Sequence, residues 1–355
     1  MTKRPSTLAD VARAAGTSTA VVSYVINNGP RPVAAATRER VLAAAAELGY
    51  RPNRIARALR SRSTGVVGLV LADASNPYFG ALARYVEQAL ERRDRLTLVG
   101  NAGYSPERQG HLVERFLAAQ VDGLVIVSSD TAGDSAAPTG VPAVYVHHGP
   151  AGGPAPVVAA DNRAAVRQAV AHLREHGHRS VAFLAGPHDG GPVGVRREAW
   201  EAAVGGDPGP VGVRREAVAG GEPGPVGVRR EAVAGGEPGS VLLRSDYSRA
   251  AADALTRRLI AEGALPRALI AATDEQAIGV LSGAWACGVP VPDRLALISL
   301  DGTPESAYTA PALTVTEQPL QAMAEQAVDL LLSLDGGAEP PAAALVPRRS
   351  CGCAA

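Results

Sequence analysis

The chain of 355 residues has only three cysteines, Cys287, Cys351 and Cys353. Three thiols without paired spacing exclude a disulfide framework and predict a reducing compartment, the cytoplasm. No apolar run is long enough to cross a bilayer, and the first residues lack the pattern of an export signal, so no membrane partner is expected. Phosphate-binding Gly-Lys-Ser/Thr loops, a nucleophile elbow and a dinucleotide fingerprint are all absent. His147-His148 and His188-Asp189 have no recognisable nucleophile beside them, which disfavours an enzyme. His172, His176 and His178 have a spacing that suits metal ligands. Gly177 closes a helix there, however, and histidines at a helix C-terminus are ordinary, so neither a metal nor a cofactor is expected. Lysine is nearly missing too: Lys3 is the sole one, and the positive charge is carried by arginine.

Net charge is also absent, since 35 basic residues face 35 acidic ones. That balance hides an asymmetry. Residues 1–62 hold 11 basic and 3 acidic side chains, a net +8, and the remainder carries −8. Phosphate neutralisation drives non-specific DNA affinity, so a basic head on an acidic body presents only the head to a duplex. Thr7 to Ala15 has apolar residues at helical spacing, Gly16 breaks it, and Ser18 caps a second short helix from Thr19 to Ile26. Two short helices about a glycine-containing turn make a helix-turn-helix. A third helix is predicted from Ala36 to Leu48, ending at Gly49. Pro52 then opens an Arg-rich stretch, Asn53 to Arg60, that reads as a hinge helix. The predicted organisation is a head at 1–50, hinge and tether at 51–64, a body at 65–349 and a tail at 350–355.

From Gly65 the chain alternates short branched apolar runs with amphipathic helical patterns, the mark of parallel strands with crossover helices. Runs at 66–71, 96–99, 123–127 and 143–146 predict one sheet; 180–184, 241–243, 268–271 and 295–298 predict a second. The fold class is a small all-α head plus an α/β body of two doubly wound parallel-sheet lobes. Ligands of such sheets sit beyond the carboxyl ends of the strands. The residues there are polar and aromatic: Asp73 to Phe79, Asn101, Ser128, Ser129, Asp161, Ser245 to Tyr247, Thr273, Asp274 and Asp301. Carboxylates, amides and hydroxyls around an aromatic platform suit a neutral polyhydroxylated ligand such as a sugar. Asp274 reads equally as a helix N-cap.

Residues 191–238 contain a direct repeat. Gly191 to Ala199 recurs as Gly209 to Ala217 and as Gly224 to Ala232, and the unit Gly209–Pro223 is copied unchanged as Gly224–Pro238. Fifteen-residue units rich in Gly and Pro do not stack as a solenoid, so the repeat reads as duplication of a helix start. Only the first copy runs on into Trp200 and an apolar helical face, which selects Arg196 over Arg214 and Arg229 as a ligand contact. The inserted copies, at about 205–239, are expected to loop out at the surface.

The runs Thr7-Leu8-Ala9-Asp10-Val11-Ala12, Ala15-Gly16-Thr17-Ser18, Val22-Ser23-Tyr24-Val25-Ile26-Asn27 and Glu47-Leu48-Gly49-Tyr50-Arg51-Pro52-Asn53 resemble the LacI/GalR transcriptional regulators, and the likeness extends over the body. The resemblance implies that Thr19, Ala20, Ser23 and Tyr24 face base edges in the major groove and that Asn27 holds the DNA backbone. It makes Leu59 a wedge in the minor groove, packing against the body being the alternative. Thr7, Ser18, Asn53, Arg54, Ala56 and Arg57 complete the DNA-binding set. Tyr24 departs from the family, where an arginine is common, so the operator sequence does not carry over. In the body the resemblance implies Tyr78, Phe79, Arg196, Tyr247, Asp274 and Asp301 as effector contacts, joined by Ser128, Asp161 and Thr273. The expectation is a homodimeric repressor binding double-stranded operator DNA under control of a small molecule. Two other readings stand beside it: a solute-binding protein of the same body fold, which the basic head opposes, and a regulator whose effector response the repeat impairs.

Overall fold

The computed structural model describes residues 4, 6–27, 29, 31–51, 63–128, 140–150, 153–205, 231–232, 240–333 and 339–354, which fall into two compact units, Met1–Thr64 and Gly65–Ala355. The hinge residues Asn53, Arg54, Ala56, Arg57 and Leu59 lie outside the described residues.

The first unit is built from α1 (Leu8–Ala14), α2 (Thr19–Ile26) and α3 (Ala35–Glu47). Gly16, at φ +63°, makes the turn that a side chain would resist. Val11, Ala12, Ala15, Val22, Val25, Val41 and Ala44 form the core that the three helices share.

The second unit holds two sheets. The first comprises β1 (Val66–Leu71), β2 (Leu96–Asn101), β3 (Gly123–Val127), β4 (Ala143–Val146) and β5 (Val157–Val158), all parallel, in the order β2-β1-β3-β4-β5. Helices α4 (Pro77–Glu91) and α5 (Pro106–Ala118) make its first two crossovers. Its central strands are buried on both faces, which is why they read as unbroken apolar runs rather than alternating ones.

The second sheet is built from β6 (Ala182–Ala185), β7 (Glu231–Ala232), β8 (Val241–Arg244), β9 (Ala268–Ala271), β10 (Ala296–Ser299), β11 (Thr314–Glu317) and β12 (Ala344–Val346). Its order is β12-β11-β10-β9-β6-β8-β7, parallel except for the edge strands β7 and β12. Around it lie α6 (Asn162–Glu175), α7 (Gly191–Val204), α8 (Arg249–Ala261) and α9 (Asp274–Ala286). Trp200, fully buried, donates from Nε1 to the Val181 carbonyl at 3.0 Å and stacks on Phe183 at 5.7 Å, so the first repeat copy is packed into the lobe. Of the later copies, Glu231 and Ala232 pair with Leu242 and Val241 at the sheet edge, where open backbone groups invite a partner. That much of the insertion is a strand rather than a free surface loop, and 206–230 and 233–239 lie outside the described residues.

The last part of the chain departs from expectation. α10 (Leu320–Ser333) returns to the first lobe, burying Met323, Ala324, Ala327, Val328 and Leu331 among Val67, Leu69 and Leu90. Arg92 pairs with Glu325 and Arg93 with Asp329 along its outer side. β12 then lies back in the second sheet, so the lobes are tied by the crossovers at 159–161 and 317–319 and by a third strap, whose Pro341 carbonyl accepts from Asp161 N at 3.1 Å. Residues 350–355, read as a tail, begin inside the lobe: Ser350 and Cys351 are buried. The Ser350 hydroxyl accepts from Thr314 N at 2.8 Å and donates to the Leu297 carbonyl at 2.7 Å, a backbone-to-backbone link that composition does not reveal.

Candidate functional site

In the head, capping sets the aim of α2. The Thr7 hydroxyl accepts from Asp10 N at 3.3 Å and donates to Asp10 Oδ2 at 2.6 Å, while Asp10 Oδ2 accepts from Thr7 N at 2.9 Å. This reciprocal capping holds the Asp10 carboxyl below its ordinary range. Ser18 accepts from Val21 N at 3.3 Å and starts α2. Thr7 and Ser18, expected among the DNA contacts, thus spend their hydroxyls on helix starts.

Val22 and Val25 turn α2 inward, which leaves Thr19, Ala20 and Asn27 exposed and Ser23 and Tyr24 half-buried on the other side. Asn27 Nδ2 donates to the Ser23 carbonyl at 3.0 Å and to its hydroxyl at 3.2 Å. The Tyr24 ring carries the Arg31 guanidinium 5.8 Å from its centroid. Gly29 packs so closely on that ring that a Cβ would fall 2.6 Å from it. Arg31 entered the sequence reading only as charge; its seven-residue distance from Tyr24 spans a turn rather than a helix and gave no pattern.

In the body the polar half of the cleft is centred on Arg196, buried on α7. Its Nε donates to Asn162 Oδ1 at 2.7 Å, and Nη1 donates to the Ala272 carbonyl at 2.5 Å and meets Asp301 Oδ1 at 3.3 Å. Asp301 Oδ2 accepts from Asp274 N at 3.0 Å. Burial pushes the Asp301 carboxyl up to about 7, and Asp274 adds to the shift, against the opposing pull of Arg196.

Asp274 is neither an N-cap nor open to a ligand. Thr273 caps α9, accepting from Gln276 N at 3.2 Å, whereas the fully buried Asp274 carboxylate accepts from Thr303 N at 2.6 Å, Thr303 Oγ1 at 2.7 Å, Gly302 N at 3.4 Å and the Ser299 hydroxyl. With three donors from the turn after β10 and a fourth from Ser299 at the end of that strand, its oxygens hold that turn. Asp161 likewise caps α6, accepting from Ala164 N at 2.8 Å.

The aromatic half comes from the first lobe. Asn76 caps α4 by accepting from Tyr78 N at 3.0 Å and sets Tyr78 edge-on to Phe79, centroids 5.4 Å apart. His147, just past β4, lies 5.3 Å from the Tyr78 ring and 6.2 Å from Phe79. Tyr104 lies 6.1 Å from Phe79 and reaches the second lobe at Tyr247, 6.2 Å away. Tyr247 in turn lies over Gly186, where a Cβ would come within 2.0 Å of its hydroxyl oxygen. Ser128 is buried just beyond β3.

Burial raises the Tyr78 phenol, with Asp301 and Asp274 adding and Arg196 opposing, so the two halves are within electrostatic reach. Burial, helped by Arg196 and His148, lowers His147 to about 3. Tyr104 and Tyr247 are pushed up to about 12, mainly by burial. Tyr78 Oη and His147 Nε2 are buried with no hydrogen-bond partner among the described residues. Such atoms cost roughly 1–3 kcal/mol each unless a ligand or water meets them. His147, Tyr104 and Asn162 were not singled out from sequence as contacts, and Asn76 only as part of the run Asp73 to Phe79. His147 follows the same rule as the others, a polar residue one step past a strand end, and that rule could have found it.

The family described as "Bacterial regulatory proteins, lacI family" matches residues 7–53. "Periplasmic binding proteins and sugar binding domain of LacI family" matches 64–211, and "Periplasmic binding protein-like domain" matches 170–351. The chain is similar to the transcriptional regulator MalR of Streptomyces coelicolor, 34% identical over 94% of this chain and 91% of that one. It is 30% identical to catabolite control protein A of Priestia megaterium over 92% and 91%. Among solved structures, a lac repressor dimer bound to operator and the anti-inducer ONPF matches with a TM-score of 0.78 at 26% identity, covering 98% of this chain and 99% of that one.

Proposed function

The chain belongs to the lacI family of bacterial regulatory proteins, and from that premise we propose a homodimeric, cytoplasmic, sequence-specific transcriptional repressor controlled by a small polyhydroxylated effector of the sugar class. The α2 face bearing Thr19, Ala20, Ser23, Tyr24 and Asn27 enters the major groove. Its short side chains let the helix backbone approach the base edges. Two heads read the halves of an inverted repeat, dimer symmetry matching operator symmetry. Asn53, Arg54, Ala56 and Arg57 follow the backbone at the operator centre, and Leu59 wedges between central base pairs.

The observation that carries the effector half is that Tyr78 Oη and His147 Nε2 are buried without a hydrogen-bond partner among the described residues, in a body whose other lobe buries the Arg196–Asp301 pair. Together they offer hydroxyl groups both donors and acceptors beside the faces of Phe79, Tyr104 and Tyr247. Relatives point to the same ligand class: one solved relative is a CelR–cellobiose complex, and one curated relative is the ribose operon repressor of Escherichia coli. Ligand that draws the lobes together changes the spacing of the tethers and hence operator affinity, and linkage makes operator change ligand affinity by the same factor.

The test is anisotropy of full-length protein on DNA fragments recovered by genomic footprinting, with and without a panel of mono- and disaccharides. One sugar should shift operator affinity by roughly 5–150-fold. Undiminished binding by a variant lacking residues 1–62 overturns the DNA half; a panel with no effect overturns the sugar half. Relatives that are transcriptional regulators speak for a non-catalytic body, and turnover of any sugar in the panel would refute that.

A further inference from the structure

Four side chains that the regulatory reading does not use converge at the far end of α6. His172 lies in its last turn, and His176 is its C-cap, one residue before Gly177 at φ +85°. Opposite them, Gly352 at φ +103° turns the chain so that Cys351 and Cys353 both face the helix. His172 Nε2 is 3.3 Å from Cys351 Sγ and 3.4 Å from Cys353 Sγ, and His176 Nε2 is 3.3 Å from Cys353 Sγ. All four ligand atoms lie within 4.8 Å of one another. His178, the third histidine of the sequence pattern, is not one of the four. The sequence reading missed the set because the two halves are some 175 residues apart and Cys351 and Cys353 looked like tail.

We propose that His172, His176, Cys351 and Cys353 form a structural zinc site that fastens the end of the chain to α6. Zinc takes sulfur at about 2.3 Å and imidazole nitrogen at about 2.0–2.1 Å in a tetrahedron, which sets the nitrogen–sulfur edges near 3.5 Å. The three edges given above already stand close to that length. Two thiolates and two imidazoles are the donor set that selects zinc over hard cations such as magnesium and calcium. The histidines sit at i and i+4 on one helical face and present the same ring nitrogen, Nε2. Glu175 Oε2 is 3.9 Å from His172 Nδ1, too far for a hydrogen bond but on the ring nitrogen that does not face the thiols.

The surroundings are those of a closed site. Cys351 is buried, Cys353 packs on the core of the second lobe, Thr314 Oγ1 lies 3.0 Å from Cys351 Sγ, and His176 is the exposed member of the four. Four protein ligands leave no coordination position for a substrate, so the ion holds structure and does no chemistry. On binding, each thiol gives up its proton to solvent, the sulfur lone pair forms the bond to zinc, and no redox change occurs. The ion thereby ties β12 and the last residues to the helix whose N-cap, Asp161, meets the strap between the lobes.

The test uses full-length protein without a histidine tag, stripped by chelator under reducing conditions and titrated with Zn²⁺ against a chromophoric chelator, then with Co²⁺. Wild type should take up one ion per chain, and the cobalt form should show tetrahedral visible bands with thiolate-to-metal charge transfer in the near ultraviolet. C353S and H176Q, whose side chains are not in the core, should each weaken uptake beyond the roughly 10–100-fold that losing an outer hydrogen-bond partner costs. H178Q should bind as wild type does. Circular dichroism identifies any variant that fails to fold, and zinc should raise the Tm of wild type but not of C353S. No uptake by wild type, unaltered uptake by C353S and H176Q, an octahedral cobalt spectrum, or loss of uptake in H178Q would each overturn the site.

Discussion

Arg196 and Asp301 form a buried ion pair, Nη1 to Oδ1 at 3.3 Å, in which the guanidinium also binds Asn162 and the Ala272 carbonyl while the carboxylate also binds the amide of Asp274. The pair therefore ties α6 and α7 to the carboxyl ends of β9 and β10. Its worth to the effector site is orientation, because two buried charges seldom add net stability over apolar residues of like size.

Removing one partner is a different matter. Arg196→Met leaves a buried carboxylate beside Asp274 and should destabilise the body by about 3–5 kcal/mol at pH 8. Asp301 then escapes by taking up a proton, so the loss should shrink as pH falls. Urea denaturation at pH 8 and pH 5 measures this, and equal losses at both would refute it.

Asp301 and His147 impose opposite pH dependences. The folded value of Asp301, about 7, lies above its ordinary 3.8, so its contribution to stability is fully present below 3.8 and is lost as pH rises through 7. The folded value of His147, about 3, lies below its ordinary 6.5, so its contribution is present above 6.5 and is lost as pH falls towards 3. Between about pH 4 and 6.5 the two slopes oppose each other. Asp301→Asn should leave stability climbing more steeply with pH than in wild type, and His147→Gln should leave it climbing less or falling. Each difference reaches at most about 1.4 kcal/mol per pH unit. Urea midpoints across that range decide it; parallel profiles in all three proteins would sink both assignments.

The eight strands read from apolar runs are present, because a strand buried on both faces writes itself as a local composition; β2, at the sheet edge, is apolar although Leu96, Leu98 and Val99 are exposed. β11 was not read: Thr314-Val315-Thr316-Glu317 alternates weakly, and its place is fixed by β10 and by the Ser350 hydroxyl 36 residues away. The return of α10 to the first lobe was illegible for the same reason, since amphipathicity shows that a helix buries one face but not against which sheet. In the body, strand-end position singled out Tyr78, Asp161, Asp274 and Asp301. It could not separate Asp274, consumed by the Gly302–Thr303 turn, from residues with free valence, because that distinction rests on donors 25–29 residues on.

Capping and reading should separate in the head. Thr7→Ala removes the reciprocal bond with Asp10 and should cost about 1 kcal/mol of head stability, weakening binding to all DNA sequences alike. Thr19→Ala, on the exposed face of α2, should leave stability unchanged and alter base preference at one operator position by about 1–3 kcal/mol. Binding to a library of single-base operator variants distinguishes them. A uniform loss for Thr19→Ala would remove that residue from the reading face.

Tyr247 and Gly186 offer a test of the cleft that does not touch its charges. A methyl group at position 186 would stand 2.0 Å from the Tyr247 hydroxyl oxygen, so Gly186→Ala must turn the ring off the second lobe and away from Tyr104. Overpacking of this kind costs roughly 1–3 kcal/mol. Tyr247→Ala alone opens the wall, and in the double variant the methyl group meets no ring, so the loss in the double variant should fall short of the sum of the two single losses by more than the roughly 0.3–0.5 kcal/mol expected of independent sites. Ligand affinity should drop in both single variants, while operator affinity without ligand stays as in wild type. A strictly additive double variant would show that the ring does not rest on Gly186, and with it the aromatic bridge between the lobes would fall.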